Sequence, residues 1–109
     1  MQKISRDQLE KKLSVPEPVA LIDVLPESSY ESYHLPSAIN IPLDDERFDE
    51  KLRETVPDTD TTIVVYCKDA DCQASPKAAS RIEALGYRNV YDYEAGKEDW
   101  KAAGNTIES

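Results

Sequence analysis

Apolar residues fall into two kinds of run along this chain, and their periods set the expected elements. Leu9 and Leu13 lie four apart behind Ser5 and Gln8, the spacing of a capping box, which predicts a short helix from Arg6 to Leu13. Pro16 and Pro18 stop it. Val19-Ala20-Leu21-Ile22-Asp23-Val24 is a continuous apolar run with one carboxylate near its end, the pattern of a parallel strand buried on both faces. Beyond Pro26, the stretch Glu27 to Tyr33 has room for about two helical turns, and Ala38-Ile39-Asn40-Ile41 reads as a short strand before Pro42. Asp44 to Glu54 is acidic with Phe48 and Leu52 at i, i+4, a surface helix with one apolar edge.

The second half carries the strongest strand signal. Thr61-Thr62-Ile63-Val64-Val65-Tyr66 is β-branched, uninterrupted, and ends directly on Cys67. From Cys67 to Ala74 nothing is periodic, so a loop follows. Ser75-Pro76 then supplies a cap residue with Pro at the first helical position, and Ala78, Ala79, Ile82 and Leu85 form a helical stripe closed by Gly86. Val90 to Tyr93 is a last strand, and Lys97 to Ala103 a last short helix capped by Gly104. Strands alternate with helices, and no repeat or low-complexity linker intervenes. The pattern implies an α/β fold with about five mostly parallel strands and helices on both faces, forming a single domain over residues 1–109.

Composition narrows the class. Leu, Ile, Val and Phe make up 23 of 109 residues, just above the roughly 20% below which highly charged chains stay unfolded; the core is thin. Thirteen Lys and Arg against 22 Asp and Glu give a formal net charge of -9, with no basic stripe. Such a surface repels phosphate backbones and anionic lipid, so neither nucleic acid nor membrane is an expected partner. The opening MQKISRDQLEKKL lacks the apolar stretch of a signal peptide, and no run approaches a membrane span, so a cytoplasmic location is expected. Two cysteines, Cys67 and Cys72, are too few to staple a secreted mini-protein, and in a reducing compartment they are free thiols. With one histidine in the chain, a four-ligand zinc site would need carboxylates; no metal or organic cofactor is expected.

Ligands of open α/β sheets bind outside the carboxyl ends of the strands, and Cys67 stands at such an end with a helix start just downstream. Inward-facing loop amides backed by a helix dipole stabilise a thiolate and an anion bound to it. Position alone fits a second reading equally well, that of a small buried residue filling a strand end.

Leu21-Ile22-Asp23-Val24, Tyr30-Glu31 and His34-Leu35-Pro36-Ser37-Ala38-Ile39-Asn40-Ile41-Pro42 resemble the rhodanese signature, in which D-V-R precedes G-H-I-P-G-A-I-N-I-P. Val64-Val65-Tyr66-Cys67, the Ala78-Ala79 helix, Leu85-Gly86-Tyr87, Asn89-Val90-Tyr91 and Gly96 with Trp100 resemble the family's catalytic half and closing segment. The resemblance runs over about residues 3 to 108, in order and at family-like spacing. It implies a sulfurtransferase: Cys67 takes the sulfane sulfur of a small-molecule or protein-bound donor, holds it as a persulfide, and passes it to a thiol or other thiophilic acceptor. The loop amides over Lys68, Asp69, Ala70, Asp71, Cys72 and Gln73 would then cradle the persulfide charge. The alternative is a non-catalytic rhodanese-like module that regulates or senses redox state through Cys67 and Cys72.

The departures from the pattern lie mostly in that loop. It is longer than in single-domain members and contains no glycine, so a tight anion nest would put Asp69, Asp71 or a neighbour at positive φ, at a cost of about 1 kcal/mol or more. Asp69 and Asp71 oppose an anionic donor while Lys68 favours one, which points away from thiosulfate and toward a neutral or protein-bound persulfide. The family's Arg after D-V is Leu25 here and the acidic residue four positions on is Ser29, so an ion pair has lost both partners. Tyr33 and Ser37 replace glycines around the H-x-P turn, and Thr106 replaces a proline. Cys72 lies five residues after Cys67, close enough for a folded-back loop to join them; it is either a resolving thiol or a loop residue packed under the next helix. Asp23 is a candidate to cap the loop or hold Arg47, or else a satisfied structural acceptor. Arg47 is a candidate substrate contact or one more solvated charge. His34 reads as structural. The sixth residue after Cys67 is Gln73, not the Arg of C-x5-R phosphatases, and the four residues between the cysteines do not match C-x-x-C oxidoreductases.

Overall fold

The computed structural model describes residues 1–109. Its elements run β1 (Gln2–Lys3), α1 (Arg6–Ser14), β2 (Val19–Asp23), α2 (Glu27–Ser32), β3 (Ile39–Asn40), α3 (Phe48–Thr55), β4 (Thr62–Tyr66), α4 (Ala74–Ala84), β5 (Val90–Tyr93) and α5 (Gly96–Ala102). The five strands form one sheet in the order β1-β5-β4-β2-β3, and every pairing is parallel. The α/β expectation holds, with all strands rather than most of them parallel. Four strands are those the apolar runs predict. The fifth, β1, is two exposed residues on the edge beside β5, with no apolar pattern to announce it.

The alternation along β4 divides the core. Ile63, Val65 and Cys67 point to one face, where Phe48, Leu52, Ala78, Ala79 and Ile82 of α3 and α4 cover them. Val64 and Tyr66 point to the other, against Leu9 of α1, Tyr93 and Trp100. Residues of β4 from Ile63 to Tyr66 are wholly buried, as a central parallel strand requires.

Helix starts show where local signals were overridden. The Ser5–Gln8 capping box forms as predicted, each partner bonding the other's backbone N–H. The acidic helix begins at Phe48 rather than Asp44, because Asp45 folds a turn that accepts the Arg47 amide and binds Lys51. The α4 helix starts one residue before Ser75, which makes Gln73 the cap position and buries Ser75 in the first turn instead of leaving it as the cap.

Candidate active site

Strand β4 delivers Cys67, fully buried, at its carboxyl end on the α3/α4 face. Five residues later the half-buried Cys72 packs against the same cluster. The two are joined as a disulfide with their Cα atoms 6.4 Å apart, within the span such a bridge allows. Both thiols of the chain are therefore occupied in this state.

The segment from Cys67 to Gln73 is held differently at its two ends. At the start, the Lys97 amide donates to the Cys67 carbonyl at 3.0 Å and the Glu98 amide to the Lys68 carbonyl at 2.9 Å. Gly96, at φ +76°, makes this approach possible: a Cβ there would stand 2.5 Å from the Lys68 carbonyl carbon and oxygen. The glycine that the loop lacks is thus supplied from α5. At the far end, the Asp71 amide donates to Asp69 Oδ1 and the Cys72 amide to the Asp69 carbonyl, each at 3.1 Å. No loop residue has positive φ; Ser37, at 65°, is the one non-glycine residue that does. The loop turns through an Asp-capped bend instead of a left-handed nest. The cradle expected of the amides from Lys68 to Gln73 is correspondingly reduced, since those of Asp71 and Cys72 are spent on Asp69.

Beneath the α5 end lies a buried cation that the sequence did not single out. Lys97 is 2% exposed, and its ammonium donates to the Ser29 carbonyl, the Ser29 hydroxyl and the Tyr33 carbonyl at 2.8 to 2.9 Å. It stands 4.2 Å from the Tyr33 ring centroid. Burial lowers its pKa, while Asp23 and Glu98 pull it back up. Three donors thus meet the carbonyl end of α2, where a positive charge is favoured. The sequence clue was Ser29, which stands where the resembling family carries an acid.

Asp23 and Asp92 are both wholly buried at the carboxyl ends of their strands. Asp23 Oδ1 accepts from the Leu25 amide at 2.9 Å, and Oδ2 has no hydrogen bond. Burial raises its pKa, opposed first by that amide and then by Tyr66, Lys97 and His34. Asp23 is thus an acceptor for its own turn and does not hold Arg47, whose guanidinium goes to Glu50 at 3.0 Å and Glu54 at 3.8 Å. Those two carboxylates lie on Arg47's own helix, so they meet it at little entropic cost, and no hydrogen bond or ion pair brings Arg47 to the loop. His34 stacks on Tyr30 and forms paired backbone bonds with Glu108, a structural arrangement.

Asp92 is the less satisfied of the two acids. Neither of its oxygens makes a hydrogen bond, nor does the Oγ of buried Ser75. Burial raises the pKa of Asp92; Ser75 and Lys3 moderate the rise and Glu94 adds to it. A cleft of about 230 Å³ beside the loop is lined by Lys3, Ala70, Cys72, Gln73, Asp92 and Glu94, among others. A larger cleft, of about 460 Å³, lies elsewhere, against Glu10, Pro36, Ser37 and Trp100. No group of three or more His, Cys, Asp or Glu residues gathers in a way that would hold a metal ion, and no helix is long and apolar enough to cross a membrane.

A model of the rhodanese-like domain matches residues 5–103. The chain belongs to this family. An HTH-type transcriptional regulator of Mycobacterium tuberculosis is 35% identical over 105 residues, covering 96% of this chain and 44% of the regulator. The thiosulfate sulfurtransferase GlpE of Pseudomonas syringae is 31% identical over 81 residues, 74% of this chain and 71% of its own. Among solved structures, a rhodanese-like domain protein from Staphylococcus aureus superposes with a TM-score of 0.80 at 26% identity, each chain fully covered. A thiosulfate sulfurtransferase from Pseudomonas aeruginosa reaches 0.86 at 29% identity over 98% of this chain and 20% of that one. This chain spans less than half the length of the regulator it matches. In this rhodanese-like domain the strand-end Cys67 is bridged to Cys72, in a loop bent by Asp69 and beside a cleft that Asp92 lines.

Proposed function

We propose that the domain is a sulfurtransferase or persulfide carrier in which Cys67, once reduced, is the nucleophile. The observation that carries this reading is the placement of Cys67 at the carboxyl end of the central strand, under a loop whose far end is tied down by one Asp-capped bend and one reducible bond. The Cys67 thiolate attacks the outer sulfur of a sulfane donor, forms a sulfur–sulfur bond, and expels the remainder of the donor with its electron pair. A thiophilic acceptor then removes the outer sulfur and restores the thiolate. Similarity to thiosulfate sulfurtransferases supports the reaction class. The acidic residues at Asp69 and Asp71 favour an uncharged or protein-bound persulfide over thiosulfate as donor. The test is the intact mass of the reduced protein and of Cys67→Ser after exposure to cysteine persulfide and, separately, to thiosulfate. Uptake of one sulfur atom by a protein that retains Cys67, and none by Cys67→Ser, is the expected result.

A regulatory role for the same two cysteines draws support from the length of the match to a transcriptional regulator. Reaction with neither donor, accompanied by reversible opening of the Cys67–Cys72 bond, would favour that role instead.

A further inference from the structure

Two features remain unused by simple sulfur carriage. One is the second thiol, joined to the first. The other is a buried carboxyl, without a hydrogen bond on either oxygen, at the cleft that Cys72 lines.

Building on the sulfurtransferase reading, we propose that Cys72 resolves the Cys67 persulfide, so that the domain releases its captured sulfur as hydrogen sulfide and closes the Cys67–Cys72 disulfide. In the step, the Cys72 sulfur attacks the inner sulfur, that of Cys67. The bond between the two persulfide sulfurs breaks, and the outer sulfur leaves with the electron pair. Both cysteine sulfurs are oxidised by one electron each, and the sulfane sulfur is reduced by two to sulfide. One turnover needs no other oxidant or reductant. Repeated turnover needs a low-molecular-weight thiol or a dithiol reductant to reopen the bridge.

Geometry supports the attack on the inner sulfur. The bond to be formed is the one present in this structure, made with Cα atoms 6.4 Å apart. The bend that sets Cys72 facing Cys67 is built by Asp69, through the Asp71 and Cys72 amides. The opposite end of the loop is fixed to α5 by the Cys67 and Lys68 carbonyls, so Cys67 is the fixed partner and Cys72 the one that closes on it. Cys67 is fully buried in the bridged state, which keeps a fresh donor out until the bridge is reduced.

The proton balance points to Asp92. Resolution takes a proton from the Cys72 thiol and gives one to the departing sulfide. Asp92 lines the same cleft as Cys72, and neither of its oxygens holds a well-formed hydrogen bond, the Ser75 hydroxyl being close enough only to moderate its pKa. Ser75 faces it from α4, Lys3 from β1 and Glu94 from its own strand's end. Burial holds the carboxyl above its ordinary pKa, nearer the range in which it both accepts and returns a proton at neutral pH. Asp92 is thus placed as the proton relay of the resolving step.

The experiment is anaerobic and single-turnover. Fully reduced wild type, Cys72→Ser, Cys72→Ala and Asp92→Asn are each given one equivalent of cysteine persulfide, desalted, and followed by intact mass and by sulfide released from the loaded protein. Wild type is expected to end two hydrogens lighter with one equivalent of sulfide released, while both Cys72 variants remain one sulfur heavier and release none. Wild type that stays one sulfur heavier, or that closes its disulfide without releasing sulfide, overturns the resolving role and leaves the carrier reading standing. No sulfur on any protein, the Cys72 variants included, overturns the carrier reading and this inference with it. Asp92→Asn is expected to take up sulfur as wild type does but to release sulfide at least about tenfold more slowly at neutral pH, with a changed pH profile. An unchanged rate and profile overturns the Asp92 assignment while leaving that of Cys72 intact.

Discussion

The two ends of the Cys67–Gln73 loop rest on opposite kinds of support. At the Cys67 end, α5 amides take both free carbonyls, Gly96 lies in van der Waals contact range of the Lys68 peptide, and Lys97 places all three ammonium protons on the end of α2. At the Cys72 end, the bend is made by a single acidic residue, and the nearby buried groups, Ser75 and Asp92, make no hydrogen bonds. Satisfied groups define a rigid platform. Unsatisfied buried groups cost stability and persist where chemistry uses them or where the fold leaves no alternative. In the mechanism proposed above, the difference separates a nucleophile that must be fixed from a second thiol that must move.

The fixed end is easiest to break at Gly96. Alanine there meets the Lys68 carbonyl at 2.5 Å and carries a side chain at φ +76°. Gly96→Ala is expected to cost about 3 kcal/mol, from overpacking plus left-handed strain, and to cut sulfur uptake by Cys67 at least tenfold, about 1.4 kcal/mol of barrier. Urea unfolding and single-turnover uptake check the two parts, and a near-neutral result would mean that α5 does not set the loop. Lys97→Met keeps the apolar stem but removes the donors that satisfy Ser29 and Tyr33. It is expected to cost about 2 kcal/mol, measurable as a lowered urea midpoint at unchanged slope.

At the unsatisfied end the sign reverses. Asp92 binds its proton more tightly folded than unfolded, so its contribution to stability is full below the ordinary carboxylate pKa and is lost as pH rises through the raised folded value. Asp23 acts in the same direction. Asp92→Asn is therefore expected to stabilise the protein by about 1 kcal/mol at pH 7 and to remove part of the stability that wild type gains on mild acidification. Thermal unfolding at neutral and mildly acidic pH tests this, and equal pH dependence in the two proteins would mean that Asp92 titrates as an ordinary carboxylate. The smallest effect falls on Asp69→Ala, which frees the Asp71 amide and removes one negative charge. It should destabilise by about 0.5 kcal/mol and raise reactivity with thiosulfate about threefold relative to cysteine persulfide. That preference should shrink as salt is added.

Much of this was legible along the chain because it depends on local pattern. The apolar run from Thr61 to Tyr66 places a buried central strand with Cys67 at its end, the Ser5–Gln8 pair starts the first helix, and the ordered motifs from Asp23 to Trp100 carry the family. Period, capping and spacing are properties of neighbouring residues, so no tertiary contact is needed to read them. The tertiary structure decided the rest, because it turns on residues distant in sequence that share a desolvated space. Lys97 reads as one more charge on a short helix until the fold buries it against Ser29 and Tyr33. Asp92 reads as the polar position of a strand until α4 covers it. Gly96 supplies the loop's missing freedom from 28 residues downstream of Lys68, an arrangement with no local signature. The joining of Cys67 to Cys72 required the bend that Asp69 makes. Sequence can place two thiols five residues apart, but only the folded loop determines whether they face each other.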